Sequence, residues 1–154
     1  MAIVEVAPVT YIPLDFIELR HKRRDSALTQ LAAAARRHGV VRDVDALIAL
    51  LVRRERLGTT ALGKGVALAH ARSISVVRPF WILGRSPKGI EWAAPDDEPV
   101  QIAVLYLSHH EQSAASHVTR LAAAAQAMRQ QRVRHRLMTA DAPAAFALLQ
   151  AGAA

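Results

Sequence analysis

The stretch from Leu57 to Arg72 reads LGTTALGKGVALAHAR, and the fold is built outward from it. Gly58 supplies a helix stop, because glycine takes backbone conformations that end a helix without a Cβ penalty. Two hydroxyls come next, Thr59 and Thr60, and then a glycine-spaced turn, Gly63-Lys64-Gly65. The short apolar run Val66–Leu68 predicts a strand that delivers His70 at its end, with Arg72 two residues on. An imidazole at a strand end, beside small residues, hydroxyls and cations, suits a compact, highly charged anion. Phosphate is the anion to which this chemistry points.

Upstream, a helix starts at Asp43 with Val44, Leu47, Ile48 and Leu51 on one face, and it stops at Gly58. Arg53, Arg54 and Arg56 fall in its last turns, where the helix dipole favours cations. One of these arginines then sits beside the residues that come after the turn. An earlier helix is expected with Asp25 as N-cap, Leu28, Leu31, Ala32 and Ala35 at helical spacing, and Gly39 as its stop. The basic cluster Arg20–Arg24 just before it reads as a solvated loop. Residues 1–14 form an apolar arm with Pro8 and Pro13, in which Ile3–Val6 and Thr10–Ile12 are expected as short edge strands.

Downstream, Ile74–Gly84 is rich in strand formers, with Pro79 marking an edge or a strand start. Two turn signals, Ser86-Pro87-Lys88-Gly89 and Ala94-Pro95-Asp96-Asp97, flank a short Ile90–Trp92 segment. Val100–Leu107 (VQIAVLYL) is nearly continuous apolar sequence and predicts a central buried strand. A third helix is expected over about 113–131, with Ala114, His117, Val118, Leu121, Ala125 and Met128 on one face. Arg132–Leu137 reads as extended, and Asp141 caps a last helix whose Phe146 and Leu149 dock on the sheet. Strands interleaved with helices predict an α/β sandwich, a central mixed sheet flanked by helices. The 154 residues are expected to form one domain, with a frayed tail at 151–154.

Composition narrows the setting. Cysteine is absent, so no disulfide framework exists and a cytoplasmic protein is the simplest reading. No apolar run approaches a membrane span, and the N-terminus lacks a basic segment ahead of an apolar one, so neither secretion nor membrane insertion is expected. The formal charge of +7, from 20 Lys and Arg against 13 Asp and Glu, favours anionic partners. Aromatics make up only 5%, and the basic-aromatic pattern of an RNA-binding sheet is missing, so nucleic acid is not the expected partner.

Of the seven histidines, His21, His38 and His135 sit beside Arg or Lys and read as surface residues. His109, His110 and Glu111 look like metal ligands, but adjacent loop residues rarely aim at one point and no HExxH-type group supports them. No metal or cofactor is expected. His70 differs because it is placed at the rim of a sheet, where α/β proteins build their sites. His117 differs because it falls in the first turn of a helix, where free N–H groups and the positive dipole end favour an anion.

What joins these two histidines is a resemblance. The stretch RRERLGTTALGKGVALAHAR (Arg53–Arg72) resembles the active-site segment of the mannitol/fructose-type enzyme IIA domains of the bacterial sugar phosphotransferase system, nearest to the nitrogen-regulatory branch. That segment typically reads RE-x-LGSTG-x-G-x-G-x-A-x-PH-G/A-K/R. Further matches are Ala94-Pro95-Asp96 followed by Glu98-Pro99-Val100, and Val104–Leu107 followed by a loop and His117-Val118. The similarity runs in the same order over about 15–149.

The resemblance implies an α/β sandwich and a phosphoryl carrier. His70 falls on the histidine that carries the phosphoryl group, His117 on the second active-site histidine, and Arg54 on an arginine near the site. Thr59 and Thr60 fall on a Ser-Thr pair beside the phosphohistidine, and Arg72 on the cation after it. The implied donor is a histidine phosphocarrier protein, and the implied recipients are regulatory target proteins or a sugar permease component. Two positions depart from the pattern: Ala69 replaces the proline before the active histidine, and Ala61 replaces a glycine. Without the proline the backbone before His70 is expected to be freer, and Ala61 is costly only where φ is positive. The alternative reading is therefore a degenerate domain that regulates by binding proteins, without phosphotransfer.

Overall fold

The computed structural model describes residues 11–150; the strand expected at Ile3–Val6, most of the N-terminal arm and the tail lie outside them. The elements run β1 (Leu14–Glu18), α1 (Arg24–Arg37), α2 (Val44–Leu57), β2 (Ala61–Gly63), β3 (Val66–Ser73), β4 (Phe80–Ile90), β5 (Val100–His109), α3 (Ala114–Met128), α4 (Gln131–Leu137) and α5 (Ala142–Gln150). The strands form one sheet in the order β1-β4-β5-β3-β2. β1 with β4 and β3 with β5 are parallel, while β4 with β5 and β2 with β3 are antiparallel. The sheet is mixed, as expected.

Two apolar layers cover its faces. On one, Leu28, Leu31, Leu47 and Leu51 of α1 and α2 pack on Ala67, Ala69, Ala71, Ile82 and Leu105. On the other, Ala124, Met128, Val133, Leu137, Phe146 and Leu149 of α3–α5 pack on Val66, Leu68, Trp81, Val104 and Tyr106. Because side chains alternate along a strand, β3 sends alanines to the first face and Val66, Leu68, His70 and Arg72 to the second. β5 is buried on both faces, which is why it reads as an unbroken apolar run.

Several local expectations need correction. Tyr11 and Ile12 lie ahead of the first strand rather than in one. Asp25 is not an N-cap: α1 opens after Arg23, and the Asp25 carboxylate accepts from the Arg24 Nε at 3.0 Å. Asp43 and Asp141 do cap, accepting from the N–H of Ala46 and Ala144. Ser86–Gly89 is not a free turn but a continuation of β4, with a register shift against β5 between Arg85 and Ile90. Arg132–Leu137 is helical, because Val133 and Leu137, one turn apart, both bury against the sheet. In α3, Val118 points away from the core at 61% exposure.

Candidate functional site

The turn Gly63-Lys64-Gly65 has positive φ at all three residues, so two glycines and one strained lysine reverse the chain from β2 into β3. Asp96 locks that turn from a distant loop, accepting from the Lys64 N–H at 2.7 Å and from the Glu98 N–H at 3.1 Å. These bonds hold its carboxyl below the usual carboxylate range. β2 is short and pairs with β3 only at Val66 and Ala67. Past those two residues the edge of β3 has no neighbouring strand, and α2 and α3 border it instead.

His70 lies on this free edge. It is the fifth of eight residues in β3, not its end, because pairing with β5 continues as far as Ser73. Its neighbour on β5 is Tyr106. The chain brings His117 to the same spot by ending β5 at His109 and opening α3 at Ala114 after a short loop. His70 Nδ1 and His117 Nε2 are 3.1 Å apart, and the rings are tilted by 58° with centroids at 5.2 Å. Tyr106 packs on the His117 ring at 5.1 Å.

Both rings are held neutral. Burial, and then the positive charge of Arg54, lower the pKa of His70. Burial, then His70 and then Arg72, push His117 down to about 4. A neutral imidazole has a lone pair to offer, whereas an imidazolium does not.

The two rings open into a cavity of about 510 Å³ lined by Arg53, Arg54, Ala71, Arg72, Ala114 and a rim of Leu50, Leu57 and Val118. Leu57 is 82% exposed, so the mouth of a cationic pocket is ringed by apolar surface. A larger cavity of about 810 Å³ is lined by other residues altogether, where Arg23 and Arg24 face Asp25, Glu91, Asp97 and Glu98. It holds neither an imidazole nor a cluster of one charge, so it offers nothing to receive a phosphoryl group.

The structure therefore brings together His70, His117, Arg54 and Arg72. Arg54 donates to the Gly58 carbonyl at 2.9 Å, which bends it over the helix end towards the pocket. Arg72 is anchored to the loop after β5, donating to the carbonyls of His110 at 2.7 Å and Gln112 at 3.0 Å. Thr59 and Thr60 do not line the cavity. The Thr59 hydroxyl accepts from the Ala61 N–H at 3.1 Å, and the Thr60 hydroxyl donates to the Glu55 carboxylate. Both hydroxyls act locally, to set the loop between α2 and β2. In α3, Ser113 caps the Ser116 N–H, and the His117 N–H donates to the Ser113 carbonyl. Among the described residues, the N–H of Ala114, which lines the pocket, is one that this helix end leaves open.

The two departures from the enzyme IIA pattern are accommodated. Ala61 is not among the residues of positive φ, so no glycine is required there. Ala69 is buried and paired with Leu105 inside an unbroken parallel ladder, and that ladder constrains the backbone before His70 in place of a proline.

Three contributors are not evident from local sequence. Glu55 is 4% exposed and accepts from the Thr60 N–H and hydroxyl. Tyr106 stacks on His117, and Ser108 places its Oγ 2.6 Å from His117 Nδ1. A period-two count along β5 is the available signal: Val104, Tyr106 and Ser108 share the face on which His70 stands.

Fold and site together define an enzyme IIA-type domain, an α/β sandwich with paired imidazoles at the free edge of its sheet. The chain belongs to the family described as phosphoenolpyruvate-dependent sugar phosphotransferase system, EIIA 2, whose profile matches residues 11–151. It is 33% identical over 146 residues to the nitrogen regulatory protein of Bradyrhizobium diazoefficiens, covering 94% of this chain and 91% of that one. Among solved structures it resembles the nitrogen regulatory protein IIA-Ntr from Neisseria meningitidis, with a TM-score of 0.77 and 25% identity over 88% of this chain and 95% of the other. Its fold also matches that of the complex of enzyme IIAMTL and phosphorylated enzyme IIBMTL from Escherichia coli, with a TM-score of 0.66 and 18% identity over 90% and 94%. Among the described residues no helix is long and apolar enough to cross a membrane.

Proposed function

We propose that this chain carries a phosphoryl group on His70 and passes it on in a regulatory role. The observation that supports this most directly is the 3.1 Å pairing of two neutral imidazoles in a pocket bordered by Arg54 and Arg72. With His70 Nδ1 engaged by His117, Nε2 is the nitrogen left to attack. Its lone pair forms a bond to phosphorus while the donor's N–P bond breaks, and that electron pair returns to the donor ring. The donor in this reading is a histidine phosphocarrier protein of the cytoplasm, already an activated phosphoramidate, so neither metal nor cofactor is called on. The protein's own work reduces to holding the nucleophile in line and balancing charge on the equatorial oxygens. The Arg54 guanidinium and the N–H group of Ala114 are the groups assigned to that balance, while His117 holds the His70 ring in place. Thr59, Thr60 and Glu55 serve by shaping the loop that leads into β3.

The recipients in this reading are regulatory target proteins, by likeness to the nitrogen regulatory relatives, or a sugar permease component. The apolar rim of Leu50, Leu57 and Val118 around the pocket suits a protein partner that must bring its own ring within bonding distance of His70.

The test is incubation with phosphoenolpyruvate, the general phosphotransferase enzyme and its histidine carrier protein. An acid-labile mass increment of one phosphate is expected on the wild type and none on His70→Ala. Identical behaviour of the two proteins defeats the proposal. A second reading, regulation by binding alone, draws on Ala69 in place of the usual proline. Partners captured equally by wild type, His70→Ala and His70→Glu would favour it.

A further inference from the structure

The proposed chemistry uses His70 and His117 but leaves unexplained why a hydroxyl is buried beneath them. Ser108 is 1% exposed, and its Oγ lies 2.6 Å from His117 Nδ1, the ring nitrogen that does not face His70. Ser108, His117 and His70 thus form a single file: Oγ, Nδ1, then Nε2, then Nδ1, with His70 Nε2 at the open end. Only one proton fits in each gap. The file therefore has two states, which differ in the direction of every bond.

In one state Ser108 donates to His117 Nδ1, His117 Nε2–H donates to His70 Nδ1, and His70 Nε2 must bear the remaining proton. That outer nitrogen then has no lone pair for phosphorus. In the other state the His117 Nδ1–H donates to Ser108 Oγ, the His70 Nδ1–H donates to His117 Nε2, and His70 Nε2 is unprotonated. The surroundings discriminate between them. The pocket onto which the file opens is bordered by Arg54 and Arg72, and a positive rim favours a lone pair on the outer nitrogen over an N–H.

Resting on the phosphoryl-carrier reading, we propose that Ser108 is a positioning residue: by accepting the Nδ1–H of His117, it fixes both rings in the Nδ1–H tautomer and leaves His70 Nε2 free to attack. Transfer from a phosphohistidine donor then forms the Nε2–P bond with the lone pair already in place, and the donor ring takes back the electrons of its own N–P bond. No proton has to leave His70 before attack. The phosphorylated ring keeps its Nδ1–H directed at His117, whose ring keeps its own Nδ1–H directed at Ser108. An orienting partner behind an active-site histidine is a general device, and losing one typically costs about 10- to 100-fold in activity.

The experiment reads tautomers by two-bond 1H–15N correlation on the complete, unphosphorylated chain at neutral pH, for wild type, Ser108→Ala and Ser108→Thr. It then reads the initial rate of phosphorylation by the phosphorylated carrier protein. Both histidines are expected in the Nδ1–H form in wild type and in Ser108→Thr, which keeps a hydroxyl at the same place. Ser108→Ala is expected to move His117 and His70 towards the Nε2–H form and to slow transfer by about 10- to 100-fold. Wild-type rings in the Nε2–H form overturn the proposal, and this measurement needs no variant to fold. So does an unchanged tautomer in Ser108→Ala, or a Ser108→Thr protein that folds but behaves like alanine. If no form of the protein accepts phosphate while the wild-type rings are Nδ1–H, the carrier reading fails and the orienting role of Ser108 stands.

Discussion

His70 Nδ1 and His117 Nε2 lie 3.1 Å apart across 47 residues of chain. The pairing depends on a parallel contact, β3 beside β5, in which His70 stands opposite Tyr106 and the chain turns into α3 shortly afterwards. Among the described residues neither ring has a carboxylate partner, so each remains neutral and each limits what the other does.

Replacing His117 by Ala is expected to leave the phosphate-accepting capacity of His70 intact while slowing its loading by about 10- to 100-fold, the usual cost of losing an orienting partner behind an active-site histidine. Stoichiometry at long times and initial rate at short times separate the two effects. A His117→Ala protein that loads at the wild-type rate removes His117 from the mechanism.

Arg54 lowers the pKa of His70, so removing its charge acts in a defined direction. Arg54→Gln is expected to raise the His70 pKa, followed by NMR titration of its ring, and to slow phosphoryl loading. A pKa that stays put or falls contradicts the placement of the guanidinium.

The depressed pKa of His117 gives a signed pH dependence of stability. Its ordinary value is 6.5 and its folded value about 4, so between those limits the unfolded chain binds a proton that the native protein refuses. The contribution of this group to stability is therefore constant above about pH 6.5 and shrinks as pH drops towards 4, by up to about 3 kcal/mol. Denaturant melts at pH 7 and pH 5 are expected to differ less in His117→Ala than in wild type. Equal differences would mean that His117 is not the group responsible.

Thr60→Val keeps the shape of the side chain and deletes the hydroxyl that donates to the buried Glu55 carboxylate. The expected cost is about 1–3 kcal/mol, because an acceptor is left unsatisfied in the interior. Urea melts measure it. Thr59→Ala, whose hydroxyl accepts one N–H near the surface, is expected to cost about 1 kcal/mol or less.

Leu57→Glu tests the apolar rim. The residue is 82% exposed, so stability is expected to change little, while KM for the donor protein rises and kcat is less affected. A drop in kcat with KM unchanged would move Leu57 from partner docking to the chemistry.

Local pattern makes much of the architecture readable. The helical spacing of Leu47, Ile48 and Leu51 behind the Asp43 cap, the stop at Gly58, the glycine turn at 63–65 and the apolar run of β5 each follow from short-range sterics and burial. His70 and Arg54 are legible because both stand in one contiguous motif. Two of the errors come where a distant partner overrides local preference. Ser86–Gly89 carries turn residues, yet the chain resumes its pairing with β5 at Ile90, so these four residues form a bulge within β4. Arg132–Leu137 is helical because two of its residues meet the sheet. Thr59 and Thr60, expected to face phosphate, are misread for a local reason: Glu55, five residues back, takes the Thr60 hydroxyl inward, and the Thr59 hydroxyl accepts from the Ala61 N–H.

By itself the sequence determined which residue types were available: a histidine behind a glycine turn, a second histidine near a helix start, arginines at a helix end. Those depend on neighbours within a few residues, which the chain order states directly. Only the tertiary structure decided which side chains meet. That Ser108, His117 and His70 stand in file is a consequence of strand register and of which helix covers which face. Register and layering are set by burial summed over the whole sheet, and no single stretch of sequence contains that sum.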